Sequence, residues 1–417
     1  MKSKSTMQLY TRFILKNGLT VLMLPDSSSK MVAVSVLYRV GSRDEQEGKT
    51  GLAHLFEHLM FSNCGSGIDF DEIMQNAGGE SNAFTTTDTT QYYNVAPADQ
   101  IELILELEAR RMNGFKLKKQ DFKIQQQVVI EEFSEHYLNN PYGLFSHKIM
   151  PMAYERHPYR WPVIGISQDE LKTLTIEDAK EFYESYYSPS NSILVICGQF
   201  DTSTCEEQIK KHFESIPSGH TNKNKYDQET SPQNKKVAQV EATIPEDALY
   251  IAFRSAGRID HDFYTLDFLT DVLAEGKSSL LYSKLKKEKM WFSSIDCYMT
   301  STTDPGLIVL EGKINNGIQL EQAEEGIWEI IENMKQELIS DHEWQKYMNK
   351  NESAYLFSQL GVINQALNLS YCEWLGDPDM IYTELEHYKK ITKEDIRQAA
   401  QKYFDREQAC YLYYKRI

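Results

Sequence analysis

Residues 48–61 read GKTGLAHLFEHLMF, and two histidines four residues apart lie at the centre of this stretch. Each residue of an α-helix turns the chain by about 100°, so His54 and His58 project from the same face one turn apart. Neutral imidazole is a good zinc ligand, and two imidazoles at this spacing can bind one ion. Glu57 lies on the same arc, where its carboxylate can take a proton from a zinc-bound water. The stretch therefore predicts a helix that carries part of a hydrolytic zinc site.

A zinc site of this kind needs a third protein ligand and keeps one position for water. The sequence offers an acidic run at 131–135, late in a helical region from 119 to 140. Its carboxylates are Glu131, Glu132 and Glu135. Neighbouring residues on a helix point in different directions, so only one of the adjacent pair can face the histidines. The residues alone leave this choice open.

The composition is that of an ordinary globular protein, because 41% of the 417 residues are hydrophobic and 25% are charged. The formal net charge of −17 argues against a nucleic-acid partner and against binding to an anionic membrane surface. We find no signal peptide and no membrane span in the sequence. The six cysteines have neither disulfide nor zinc spacing. We expect a cytoplasmic protein, or a periplasmic one if a leader has been removed.

The chain is predicted to form two domains, 1–217 and 237–417, joined by a linker at 218–236 that contains almost no apolar side chains. Alternating strand and helix patterns recur in the same order on both sides of the linker. The longest predicted helical regions cover 98–140 and 341–368. The fold class is therefore α+β, with two similar domains that arose by internal duplication. Each is expected to be a mainly antiparallel sheet with helices packed on one face.

The order His-x-x-Glu-His is the inverzincin signature. The chain resembles the pitrilysin family of zinc peptidases, which includes insulin-degrading enzyme and the mitochondrial processing peptidase. The resemblance covers the first half in the correct block order and the second half more loosely. The matching blocks are GKTGLAHLFEHLMF (48–61), GGESNAFTTTDTTQYY (78–93), VVIEEFSE (128–135), HPYRWPVIG (157–165), FYESYYSPSNSILVICG (182–198) and GKSSLLYSKLKKEK (276–289).

The resemblance implies a complete zinc site, with Zn²⁺ as the cofactor. It places the third ligand on Glu132, with Glu135 as the fallback. It also implies that an edge strand takes up an extended peptide substrate through its backbone. The residues of that strand are Ser81, Asn82, Ala83, Phe84 and Thr85.

Two departures from the family pattern bear on activity. A glutamate that usually supports the site, seven residues before the ligand glutamate, is replaced by Gln125, which cannot accept a proton. Single-chain and homodimeric relatives also supply an arginine and a tyrosine from the second half. The matching positions here are Lys286 and Ser293, and neither side chain can replace its counterpart.

These departures, together with a chain about half as long as the single-chain relatives, predict a zinc endopeptidase subunit that cleaves peptides or unfolded segments. We expect a heterodimer with a related half-length subunit that supplies the missing pair, with a homodimer as the second choice. The competing hypothesis is a non-catalytic scaffold or peptide-binding subunit. The intact His54, Glu57, His58 and Glu132 favour the enzyme.

Overall fold

The computed structural model of the protein describes residues 9–61, 69–113, 116–219, 226–227, 229 and 234–417. Short apolar runs form the strands, and segments with helical periodicity form the helices. The strands are β1 (Thr11–Ile14), β2 (Thr20–Pro25), β3 (Met31–Tyr38), β4 (Glu80–Thr85), β5 (Thr90–Pro97), β6 (Ser192–Gly198), β7 (Lys236–Ala242), β8 (Asp247–Arg254), β9 (Phe292–Met299), β10 (Leu307–Ile314) and β11 (Cys410–Arg416). The helices are α1 (Leu52–Phe61), α2 (Phe70–Asn76), α3 (Ile101–Met112), α4 (Lys119–Phe133), α5 (Phe145–Ala153), α6 (Gln168–Thr173), α7 (Ile176–Tyr186), α8 (Thr202–Phe213), α9 (Phe263–Ala274), α10 (Leu320–Gln336), α11 (Asp341–Ser358), α12 (Val362–Leu375), α13 (Met380–Tyr388) and α14 (Lys393–Tyr403).

The first compact unit comprises Met1–Phe133, Val163–Lys225 and Leu356–Tyr382. Its six-stranded sheet has the order β1-β2-β6-β3-β5-β4, in which β2 and β6 run parallel and the other neighbours antiparallel. Every residue of β6 is buried, so this strand is covered on both faces. Strand β4 lies at the edge and pairs with β5. Helix α1 packs against β4, α4 and α7.

The second compact unit comprises Ser134–Pro162, Tyr226–Tyr355 and Thr383–Ile417. Its sheet has the order β7-β11-β8-β10-β9, with β7 and β11 parallel and the other neighbours antiparallel. This is the order of the first sheet without β1, including the position of the parallel pair. The predicted α+β class with two similar domains is therefore confirmed.

The units do not follow the single division at 218–236, because the two halves of the chain exchange helices. Helix α12 comes from the second half but packs on β3 and β6 of the first unit, where Leu369 joins a buried apolar cluster. Helix α5 comes from the first half but packs on β8 and β11 of the second unit, where Ile149 joins another. Helices α12 and α5 each cover a second face of the sheet they pack on. The sequence predicted helices on one face only.

The two long predicted helical regions are each interrupted in the structure. The region 98–140 divides into α3, α4 and a turn of π-helix at Ser134–Leu138. The region 341–368 divides at Gly361, whose φ of 82° lies in the left-handed range that favours glycine and precedes the start of α12. Periodicity alone did not reveal these breaks, because apolar residues continue across them.

The predicted linker 218–236 falls largely on residues 220–225, 228 and 230–233, which lie outside the described residues. One described residue within it is tied to the second unit. The carboxylate of Glu229 accepts hydrogen bonds from the backbone N–H groups of Glu155, Arg156 and His157, at 2.9, 2.7 and 3.0 Å. No helix in the described part of the chain is both long enough and apolar enough to span a membrane.

Candidate metal centre

Helix α1 carries the histidines, and a buried carboxylate fixes its first turn. Glu45 Oε2 accepts a hydrogen bond from the N–H of Gly51 at 2.9 Å, and its Oε1 accepts one from the N–H of Ala53 at 2.8 Å. The first N–H groups of a helix have no partner within the helix, and a negative charge near them is favourable. Burial raises the pKa of Glu45 well above its usual range, although these two hydrogen bonds act to lower it. Glu45 was not predicted from the sequence, because no spacing links it to the histidines.

The structure brings His54, His58 and Glu132 together. Glu132 Oε2 on α4 lies 3.4 Å from His58 Nε2 and 3.7 Å from His54 Nε2. One donor atom from each of the three residues lies within 4.8 Å of the other two. Donor atoms bound to one tetrahedral zinc ion at about 2.0–2.2 Å lie roughly 3.3 Å apart. These nitrogen and oxygen donors therefore fit a zinc ion with little movement.

The protonation of His54 suits metal binding, because an imidazole must be neutral to bind through its lone pair. Burial lowers the pKa of His54 to about 4, and the positive charge of a protonated His58 acts in the same direction. Glu132 acts in the opposite direction and does not outweigh them. The side chains of His54 and His58 retain 13% and 24% of their exposure, so an ion can reach them from one side.

Glu57 lies beside the donor cluster and is held by the neighbouring strand. The hydroxyl of Thr85 donates a hydrogen bond to Glu57 Oε2 at 2.6 Å. Burial raises the pKa of Glu57, while hydrogen bonds from Thr85 and the charge of a protonated His58 oppose the increase. A carboxylate with a raised pKa is a stronger base than one in water.

The five residues predicted to receive substrate lie on β4, at the edge of its sheet. The N–H of Thr86 donates to the carbonyl of Thr89, which marks a hydrogen-bonded pair next to the β4–β5 turn. Such pairs alternate along antiparallel strands, so the backbone groups of Ser81, Ala83 and Thr85 point away from β5. The N–H of Ala83 is bound to the side-chain Oδ1 of Asn82 at 2.8 Å.

A cavity of about 480 Å³ opens between α1, β4 and α4. Glu57 and His58 line it together with Gln125, the residue predicted to support the site. The other carboxylates in the lining, those of Asp69, Asp71 and Asp121, were not predicted from the sequence. The complete lining is Glu57, His58, Phe61, Asp69, Asp71, Asn82, Asp121, Ile124 and Gln125.

The other residues that the sequence singled out, as alternative ligands or as the positions of the missing pair, make the following contacts. Glu131 is exposed and accepts a hydrogen bond from Gln127 at 3.0 Å, and Glu135 is exposed in the π-helical turn. In the second unit, Ser293 donates its hydroxyl hydrogen to the carboxylate of Glu246. Lys286 lies over the ring of Tyr282, with its Nζ 5.3 Å from the ring centroid.

Comparison with family models identifies both halves of the chain. Residues 20–165 match the model described as insulinase (peptidase family M16). Residues 173–351 match the model described as the peptidase M16 inactive domain. The donor cluster and Glu57 lie within the first of these matches.

Comparison with individual proteins extends the match over the whole chain. The chain is 30% identical to the zinc protease PqqE of Helicobacter pylori over 431 aligned positions, which cover 100% of this chain and 95% of that protein. It is 25% identical to a probable mitochondrial-processing peptidase subunit beta of Arabidopsis thaliana, over 62% of this chain and 49% of that protein.

Among solved structures, a protease from Helicobacter pylori superposes with a TM-score of 0.92 at 28% identity, covering 97% of this chain and 99% of that one. A peptidase M16 inactive domain from Pseudomonas fluorescens shares the fold alone, with a TM-score of 0.87 at 15% identity and 98% of each chain covered. The extent and identity of these matches show that the chain belongs to the M16 (insulinase-like) family of zinc proteases.

Proposed function

We propose that the chain is the zinc-bearing subunit of an endopeptidase that cleaves peptides or unfolded segments. The observation that carries the proposal is the approach of Glu132 Oε2 to the Nε2 atoms of His54 and His58, at 3.7 and 3.4 Å, beside Glu57. In this proposal His54, His58 and Glu132 hold Zn²⁺, and Gln125 supports them from the wall of the cavity. A scaffold protein has no need of this set of side chains.

Zinc bound at this site would polarise the scissile carbonyl and acidify the attacking water. Glu57 accepts the proton of that water while the water oxygen bonds to the carbonyl carbon. The protonated carboxyl then donates the same proton to the leaving amine as the peptide bond breaks. The raised pKa of Glu57 makes its carboxylate a better acceptor for the proton of the water.

Strand β4 supports a mode of substrate binding that depends little on side chains. An extended peptide that pairs with Ser81, Ala83 and Thr85 adds one strand to the sheet. Binding displaces the Asn82 amide oxygen from the N–H of Ala83, since the peptide takes over that hydrogen bond. The cavity beside Glu57 then receives a side chain of the peptide.

The surroundings of Lys286 and Ser293 support an incomplete site in the isolated chain. Ser293 is occupied by Glu246, and its short side chain cannot replace a phenol. We therefore propose a heterodimer in which a related half-length subunit supplies the arginine and tyrosine. The chain alone should cleave test peptides poorly, and the partner should restore cleavage. The compartment, cytoplasmic or periplasmic, stays a prediction.

A non-catalytic scaffold is the second candidate, and the replacement of a family glutamate by Gln125 favours it. Zinc content and the Glu57→Gln variant separate the two functions. We expect one zinc per chain in both the wild type and Glu57→Gln. Cleavage of a quenched-fluorescence peptide by the complex should fall by about 100- to 10,000-fold in the variant, the usual contribution of a general base.

The matched control is Glu131→Gln, which removes an exposed carboxylate from the helix that carries Glu132. It should change neither zinc content nor cleavage. A wild-type complex that binds zinc but cleaves no peptide would favour the scaffold. Absence of zinc from the wild type would contradict both the metal site and the reaction.

A further inference from the structure

We propose that Thr85 is a positioning residue, which holds the base Glu57 and links its orientation to peptide binding on β4. The inference rests on the proposed function, since Glu57 must be the base for its orientation to matter. Its basis is the hydrogen bond of 2.6 Å from the Thr85 hydroxyl to Glu57 Oε2. This bond joins the last residue of the edge strand to the helix that carries the histidines.

The Thr85 hydroxyl holds Glu57 through Oε2 and does not occupy Oε1. A hydrogen bond from the Thr85 backbone also acts on the Glu57 carboxylate, so Thr85 holds this group with both its side chain and its main chain. A carboxylate held through one oxygen cannot rotate freely about its last bond. The carboxylate is therefore restricted in orientation on the wall of the cavity that Glu57 and His58 line together. Such restriction lowers the cost of reaching the reactive geometry.

Thr85 is well placed to hold the Glu57 carboxylate in one orientation, because the turn that follows Thr85 is anchored to the rest of the unit. The hydroxyl of Thr86 accepts the N–H groups of Asp88 and Thr89 at 3.1 and 2.9 Å. The Asp88 carboxylate binds the guanidinium of Arg43 at 2.8 Å, with both side chains mostly buried. The C-terminal side of Thr85 is thus fixed.

The N-terminal side of Thr85 is open to substrate. Its backbone groups, like those of Ser81 and Ala83, point away from β5. A peptide paired along this edge fixes β4 from its second side and thereby fixes the Thr85 hydroxyl. Glu57 is then best oriented when a peptide occupies the edge, which couples binding to the reactive state.

The test compares Thr85→Val, Thr85→Ser and Thr90→Val in the full chain with its partner subunit. Valine keeps the β-branched shape of threonine but cannot donate, so we expect kcat to fall roughly 10- to 100-fold with KM changed less than about threefold. Thr85→Ser restores the hydroxyl and should recover most of kcat. Thr90 lies opposite Thr85, and its hydroxyl donates to the carbonyl of Val40 at 3.0 Å. Thr90→Val therefore reports the effect of weakening the same hairpin without touching Glu57.

A purely structural role for Thr85 predicts that Thr85→Val and Thr90→Val lower the melting temperature and activity alike. That result would overturn the inference, as would a wild-type kcat in Thr85→Val. A fall in kcat confined to Thr85→Val, at unchanged zinc content and reversed in Thr85→Ser, would support it. An inactive wild-type complex overturns the proposed function and this inference together, whereas an active wild type that tolerates Thr85→Val overturns the inference alone.

Discussion

Helices α1 and α9 occupy the same place in two sheets of the same strand order. Each follows the central antiparallel strand of its sheet, β3 or β8, and packs against the edge strand, β4 or β9. Each also carries two polar side chains one turn apart. On α1 these are His54 and His58, and on α9 they are Asp267 and Asp271.

The two pairs have the same spacing but different surroundings. His54 and His58 face Glu132, and these three residues are the candidate metal cluster found among the described residues. Asp267 is instead bound by the hydroxyl of Tyr388 at 2.6 Å, and burial raises the pKa of both aspartates. Two sheets of the same strand order thus carry a candidate metal-binding pair in one unit and a buried aspartate pair in the other. Fold alone does not assign function to either copy.

The largest expected difference between the two helices lies in metal binding. His54→Ala should reduce bound zinc from about one per chain to nearly none and abolish cleavage, because two remaining ligands do not hold a structural or catalytic zinc ion. Metal analysis after dialysis measures the effect. Asp271→Asn, which removes a carboxylate from the corresponding helix, should leave zinc content unchanged. Retention of zinc by His54→Ala would refute the assigned ligand set.

A smaller effect is expected at the start of α1. Glu45→Gln retains the size of the side chain but places an amide N–H group against the N–H of Gly51 or Ala53. We expect zinc affinity, measured by competition with a chelator, to fall about tenfold, as for other groups that support metal ligands. Glu170→Gln is the matched comparison, because Glu170 Oε1 accepts hydrogen bonds from the N–H and hydroxyl of Thr50. Equal losses in both variants would show that Glu45 has no special role.

The smallest expected effect concerns the stability of the second unit. Burial raises the pKa of Asp271 to about 7, with the charge of Asp267 acting in the same direction. The folded state therefore holds this proton more tightly than the unfolded state, whose aspartate titrates near pH 4. The free energy of unfolding should fall as pH rises from about 4 to 7 and then level off, by up to about 4 kcal/mol.

Urea unfolding at pH 5 and pH 8 tests this pH dependence. Asp271→Asn should remove the part of the decrease that Asp271 causes and stabilise the protein at pH 8 relative to the wild type, while Asp267, whose pKa is also raised, keeps its own contribution. Glu275→Gln removes a more exposed carboxylate one turn further along the chain and should retain the decrease. The same pH dependence in Asp271→Asn and the wild type would exclude Asp271 as its source.

Local sequence predicted the part of the site that depends on helical geometry. The spacing of His54 and His58 is enough to place both on one face, whatever the rest of the chain does. The choice of Glu132 over Glu131 came from the family resemblance. In the structure Glu132 faces the histidines and Glu131 faces solvent. The metal itself, and the roles of these residues, remain predictions for experiment.

Contacts between residues distant in sequence could not be predicted in this way. The bond from Thr85 to Glu57 and the anchoring of α1 by Glu45 depend on how elements pack, and no periodicity records either contact. The exchange of α5 and α12 was missed for a related reason. An apolar stripe shows that a helix is buried but not which of two similar sheets covers it.

The exchanged helix α12 also determines when the first unit can be completed during synthesis. Leu22, Leu37 and Val195 form the face of the sheet that α12 covers. A ribosome releases all six strands of that sheet well before it reaches residue 362, so this apolar face stays open while most of the second half is translated. The nascent chain is then exposed to aggregation for longer than one built from two consecutive domains. Truncation after residue 217 should reproduce that open face, so we expect the isolated first half to aggregate more readily than the full chain.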